Sequence, residues 1–327
     1  MVPVTKTRRF FIGLTIALTG AAMSASAAVD SALAALIPAD ATVVSGVNVN
    51  QAKSSAFGRF VLSQMDSDDE GIRKFIADTG FDPRRDLTEL VVATVGTTDK
   101  PEPVILGRGI FTPGRILDLA RQHGAAVSSY QGIEIATHKL NAIAFVDASI
   151  AVIGHSAAVK AAIDQRANPV KRLPETVTRK IAELSNANDA WFYTAASPAD
   201  FLGGKIADPN LGGAMKEGLL QAVTGAAGGI KFRDTHAQVS AEAVTRSDKD
   251  ATALADVFRF LAQIVQTQGN ASNSRNNGAQ DVAELLSKLQ LSTDANVMKL
   301  QLAIPESLLE RVFARRPARQ AAANRIH

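Results

Sequence analysis

Between Val127 and Ile153 four short apolar segments follow one another with only turns between them: Val127 to Tyr130, Ile133 to His138, Ala142 to Val146 and Ile150 to Ile153. Segments this close cannot lie parallel, because a parallel pair requires a crossover of about a dozen residues or more. They have to meander as antiparallel strands. The same spacing recurs at Leu90 to Val95 before Pro103 to Phe111, at Gly229 to Asp234 before Ala237 to Thr245, and at Leu289 to Thr293 before Asn296 to Ile304. Two further runs rich in β-branched or aromatic residues, Thr42 to Val49 and Ala190 to Ala195, put a strand at the head of each half of the chain.

Helical signals fall between these strands. Ser54-Ser55 is expected to cap a helix through Phe57, Phe60, Val61 and Met65, and a second is expected over Glu70 to Thr79, with Ile72, Phe75 and Ile76 on one face. Gly80 can end it in the left-handed conformation while Phe81 packs back on the last turn. Thr112-Pro113 opens a helix with Pro at its first position, and Gly124 closes it. Ser156 starts another, through Val159 and Ile163, and Ser197-Pro198 starts a stretch broken at Gly204 and Gly212-Gly213. Asp248 to Gln268 is long, with Leu254, Val257, Phe258, Leu261, Ile264 and Val265 inward. Gly269 to Gly278 is an Asn/Ser loop, Val282 to Leu289 is helical, and Pro305 opens a last helix with Leu308, Leu309 and Val312 on its apolar face. The expected fold is α+β: a predominantly antiparallel sheet with helices packed on one face, arranged as two related halves. The expected boundaries are a signal peptide at 1–27, a first α+β half at 28–168, a linker at 169–185, a second α+β half at 186–314 and a disordered basic tail at 315–327.

The first 27 residues read as a cleavable export signal. Lys6, Arg8 and Arg9 form a basic start, Phe10 to Met23 an apolar stretch, and Ala25-Ser26-Ala27 a small-residue cleavage point. The apolar stretch falls short of the roughly 20 residues that span a bilayer as a helix, so no transmembrane span is expected in the mature chain. A periplasmic or secreted location follows. The chain has no cysteine, which excludes a disulfide framework, a thiolate metal site, a cysteine nucleophile and a lipid anchor on cysteine.

Charge is informative once the leader is set aside. The whole chain carries 35 Lys and Arg against 32 Asp and Glu. Removing the leader's three basic residues leaves 32 of each sign. Arg311, Arg315, Arg316, Arg319 and Arg325 then concentrate positive charge in an acid-free tail, leaving an acidic body. Such a body does not offer the clustered Lys and Arg of a nucleic-acid interface. The tail could still contact anionic membrane weakly.

Two stretches carry resemblances. Thr7-Arg8-Arg9-Phe10-Phe11-Ile12 resembles the twin-arginine export signal of bacteria. Leu36-Ile37-Pro38-Ala39-Asp40-Ala41, followed by Val43 to Val49 and Ser54-Ser55-Ala56-Phe57-Gly58, resembles uncharacterised bacterial secreted proteins with a leucine-proline-alanine-aspartate opening, a strand and a serine-capped helix. Gly80 to Leu87 adds to it. These are turns and caps, so the resemblance implies a fold and no activity.

No set of residues forms a convincing catalytic group. Gly154-His155-Ser156-Ala157-Ala158 sits between a strand and a helix, as the nucleophile elbow of α/β-hydrolases does, with His236 or His327 as nominal partners. Hairpin-like neighbours and Ala158 in place of the usual glycine argue that Ser156 simply begins a helix. The histidines His123, His138, His155, His236 and His327 show no helical metal-pair spacing. Asp66, Asp68, Asp69 and Glu70 suit a solvated helix start. Gly225-Ala226-Ala227-Gly228-Gly229 lacks the ending of a phosphate loop and reads as a flexible turn. In Trp191-Phe192-Tyr193, strand alternation should leave one ring partly exposed. No catalytic residue, cofactor or metal is expected. The expected function is an exported non-catalytic binding or envelope-associated protein whose partner is an unknown protein or envelope component. The alternative is an exported serine hydrolase using Ser156.

Overall fold

The structure, a computed structural model, describes residues 29–55, 58–59, 70–97, 100–167, 172–197, 219–233, 235–271 and 277–308. The leader at 1–27, the helix expected through Phe57 to Met65, the stretch from Pro198 to Gly213, the acidic run before Glu70 and the tail at 315–327 lie outside the described residues.

Among the described residues twelve strands form one sheet: β1 (Val43–Asn48), β2 (Leu87–Thr97), β3 (Lys100–Gly109), β4 (Ala126–Tyr130), β5 (Ile133–His138), β6 (Asn141–Asp147), β7 (Ile150–His155), β8 (Ala190–Thr194), β9 (Val223–Phe232), β10 (His236–Thr245), β11 (Gln290–Asp294) and β12 (Val297–Pro305). Their order across the sheet is β11-β12-β10-β9-β8-β1-β2-β3-β7-β6-β5-β4. Every neighbouring pair is antiparallel. Short turns enforce this. Gln131 and Gly132 both have positive φ, 49° and 77°, and this turn geometry matches the twist of the strands it joins, β4 and β5.

The helices among the described residues include α1 (Ser31–Ala34), α2 (Val49–Ser54), α3 (Glu70–Thr79), α4 (Pro83–Asp86), α5 (Pro113–Gln122), α6 (Ser156–Ala167), α7 (Glu175–Ala187), α8 (Leu219–Ala222), α9 (Asp248–Ala271) and α10 (Asn277–Ser287). Local chemistry sets several of their ends. Pro113 occupies the start of α5, where a missing N–H costs nothing. Gly80, at φ 76°, ends α3, and the Phe81 ring packs edge-on to Phe75 with centroids 6.4 Å apart. The Ser247 hydroxyl accepts the Asp250 N–H at 3.2 Å and so caps α9. Val49 begins α2 and Pro305 ends β12, each one residue away from the sequence expectation, and residues 306–308 are helical.

The α+β class and the antiparallel sheet are as the sequence indicates, but the helices, expected on one face, cover both. Alternation along each strand separates the two sides. Val44, Val91, Ala93, Val104, Leu106 and Val152 point to a face covered by α1, α6 and α7. Val47, Leu90, Phe145 and Ala151 point to the other, where α5 lies through Ile116 and Leu117. Ala243 shares this second side with Ala237, and there Leu254 and Ala255 of α9 pack with Met298. The physical cause is visible in the strands: Leu90-Val91-Val92-Ala93 and Ile150-Ala151-Val152-Ile153 are unbroken apolar runs, the pattern of a sheet buried on both sides.

Two further expectations change. The segment expected as a linker, 169–185, includes most of α7, whose Ile181 and Leu184 are buried in the first core. The glycine-rich stretch Gly225 to Gly229 is part of strand β9. A Cβ on Gly229 would stand 2.3 Å from Cγ of the buried Asn188, so the glycine lets that side chain lie across the strand.

The two halves repeat one arrangement. Outward from the centre, the first runs β1-β2-β3-β7-β6 and the second β8-β9-β10-β12-β11, with β5 and β4 as extra strands at one edge. The halves meet where β1 pairs with β8, from Val43 opposite Thr194 to Val47 opposite Ala190.

Candidate functional site

Ser156 is the first residue of α6, and its backbone N–H donates to the Leu140 carbonyl at 2.8 Å. The strand before it, β7, pairs antiparallel with both β3 and β6. A nucleophile elbow requires a parallel sheet around the serine, and none exists among the described residues. His138 Nδ1 lies 3.4 Å from the Gly124 carbonyl oxygen, and His236 Nδ1 lies 3.3 Å from the Thr235 hydroxyl. His123 caps the C-terminus of α5, and His155 ends β7. Among the described residues no hydrogen bond joins any histidine to Ser156; His327 lies outside them.

Two carboxylates, one buried and one half-buried, serve the fold. Asp189, fully buried, accepts from Lys231 Nζ at 2.6 Å and from the Phe232 N–H at 3.1 Å. Glu89, mostly enclosed on β2, accepts the Asp30 N–H at 3.3–3.4 Å through both carboxylate oxygens. The Asp30 carboxylate caps α1 through the Ala32 N–H at 2.9 Å and accepts from Arg108 Nη1 at 3.1 Å. The Val29 N–H donates to the Ser185 hydroxyl at 3.2 Å. These bonds strap the segment from Val29 to Ile37 onto the sheet, with Leu33, Leu36 and Ile37 buried beneath. Burial is the main cause that pushes the Glu89 carboxyl up to about 7; the Asp30 carboxylate adds to it, while the Asp30 N–H and Arg108 oppose it.

One cleft gathers polar groups that the fold does not use up. It has a volume of about 760 Å³ and lies between the Pro38-Ala39-Asp40 turn, Gln131 in the β4–β5 turn, and Ala161, Asp164, Gln165 and Ala167 of α6. Tyr130 Oη donates to the two Asp164 carboxylate oxygens at 2.9 and 3.0 Å, and Gln131 Nε2 donates to Asp164 Oδ1. The carboxylate beside it holds the Tyr130 phenol above its ordinary range. Lys160 Nζ lies 5.2 Å from the centroid of the Tyr130 ring. Gln165, 9% exposed as a residue, also lines the cleft. A carboxylate fixed by two donors therefore lines the cleft with acceptor sites left for a bound molecule.

Pro38, Ala39 and Asp40 are singled out in the sequence only within the leucine-proline-alanine-aspartate opening, with no binding role. Tyr130 and Gln131 read as a strand end and turn, and no role is expected of Asp164 or Gln165. A signal does exist for Gln165: Ala158, Ala162 and Gln165 stand at i, i+4 and i+7, so a polar residue occupies the buried stripe of α6.

No helix among the described residues is long and apolar enough to cross a membrane. No family model matches the chain, and no curated protein matches it. Among solved structures, the chain is similar to the protein TP0453 in three crystal forms. Form III has 12% identity and a TM-score of 0.49, covering 86% of this chain and 96% of that one. Form IV has 11% identity and a TM-score of 0.48, and form I 11% and 0.45, each covering 86% of this chain and 95% of that one.

Proposed function

We propose that this chain is an exported, non-catalytic binding protein that holds a small polar ligand in the cleft beside α6. One observation carries this reading: the Asp164 carboxylate, fixed by Tyr130 and Gln131, lines the cleft with acceptor sites to spare. The hydrolase alternative is disfavoured because Ser156 begins a helix within an antiparallel sheet. A thermal-shift screen of amines, sugars, carboxylates and phosphates on the mature chain and on Gln165→Leu tests it. At least one compound should raise the melting temperature of the parent and not of the variant. A screen in which no compound distinguishes the two would remove the cleft as a binding site.

The basic start, apolar stretch and Ala25-Ser26-Ala27 support export. If the twin-arginine route is used, Arg8→Lys with Arg9→Lys strands the precursor inside the cell. Normal export of that variant would leave only a general secretory signal.

A further inference from the structure

We infer that leader removal completes the fold: the α-ammonium created at residue 28 pairs with the Glu89 and Asp30 carboxylates and holds the strap from Val29 to Ile37 on the sheet. This inference rests on export with cleavage after Ala27, and it makes the cut a step in folding as well as in release from the leader.

The strap's first bonds are made by residues 29 and 30. The Val29 N–H donates to the Ser185 hydroxyl at 3.2 Å, and the Asp30 N–H donates to both Glu89 carboxylate oxygens at 3.3–3.4 Å. An α-amino group at residue 28 is tethered to this place. Three covalent bonds separate it from the Val29 nitrogen, which limits their distance to about 4 Å. Two features there favour a cation. Ser185 belongs to the last turn of the 13-residue helix α7, whose dipole is negative at that end. Among the described residues, Arg108 also serves three carboxylates: its Nη1 donates to Asp30 at 3.1 Å, and its charge acts on Glu89 and Asp147 as well. Before the cut, residue 28 is joined to the leader by a neutral amide and brings no charge. After it, the ammonium brings one positive charge and three donors. Burial raises the Glu89 carboxyl and the Asp30 carboxylate adds to the rise; a neighbouring ammonium acts against it.

The test compares two purified chains at pH 7 and low salt: one starting at residue 28, and one with Gly-Ser-Gly ahead of it, which moves the ammonium away. The readout is hydrogen exchange of the strap amides of Leu33, Leu36 and Ile37, which donate to Asp30, Leu33 and Ala34. Exchange should be about fivefold slower in the chain starting at residue 28, the scale of one charge at a helix end. The ratio should shrink in Glu89→Gln, which keeps an acceptor for the Asp30 N–H, and should shrink again at high salt. Equal exchange in the two chains would overturn the ion pair. So would a difference that Glu89→Gln and salt leave unchanged, because the extension would then act by its bulk. Mass spectrometry of the exported protein should give a chain starting at residue 28. A different start, or no cut, would overturn the link to leader removal, and the second result would remove the cleaved-signal reading with it.

Discussion

Gly46 lies opposite Trp191 across the β1–β8 seam, and a Cβ there would stand 2.5 Å from the indole ring. The ring belongs to the core beneath α1, α6 and α7, so it cannot simply rotate into solvent. Gly46→Ala should therefore cost about 1–3 kcal/mol, the range for overpacking a filled core. Urea unfolding measures this, and Trp191→Leu in the same chain should recover part of the loss through coupling between the two sites. An unchanged midpoint in Gly46→Ala would mean that the seam is looser than the packing indicates. The sequence placed Trp191 in a strand and implied that its neighbours alternate, which they do: Trp191 is 6% exposed and Phe192 39%. It did not reveal which strand lies alongside. That contact joins residues 145 positions apart, and no local pattern encodes it.

At the scale of elements, periodicity and turn chemistry were legible, and burial from two sides was only partly so. Strands joined by short turns had no choice of direction, which is why β4 to β7 and the paired strands of both halves were readable. The count of covered faces was also present, in the unbroken apolar runs of β2 and β7, but an argument from helix placement alone passes over it. The strap from Val29 to Ile37 was not legible, because its hold depends on Glu89, Arg108 and Ser185, all distant in sequence. Its chemistry makes a pH prediction. The folded chain raises the Glu89 carboxyl from about 4.5 to about 7. Folding thus takes up a proton between these values. The Glu89 contribution to stability is fully present below about pH 4.5 and is lost as pH rises through 7. The carboxyls of Asp82 and Asp86, lowered chiefly by hydrogen bonds from Arg84 and Arg85, act in the opposite sense and at lower pH. Urea midpoints measured from pH 5 to 8 should therefore decline in the parent and flatten in Glu89→Gln. Amide exchange over residues 29–37 should rise with the same profile. An equal slope in both proteins would show that Glu89 is not the group responsible.

At the scale of the molecule, the twelve-stranded antiparallel sheet of the described residues carries two similarly ordered halves that share a core. Val44, Val91, Ile181, Trp191 and Ala227 belong to a single cluster spanning the β1–β8 seam, so the boundary at 168 divides the sequence more clearly than it divides the structure. This continuity positions the cleft. The Pro38-Ala39-Asp40 turn enters β1, Gln131 lies in the turn to the edge strand β4, and α6 crosses between them on one face. Among the described residues no hydrogen bond joins Ser156 to a histidine. The cleft was hidden because it is assembled from three separate segments, with Gln165 as its one local trace. The most direct test is a titration of the isotope-labelled mature chain with whichever compound of the thermal-shift screen raises its melting temperature most, followed by backbone amide chemical shifts. The account predicts saturable shifts centred on Ala39, Asp40, Gln131, Ala161, Asp164 and Gln165. Shifts that do not saturate, or that centre on another part of the sheet, would contradict it.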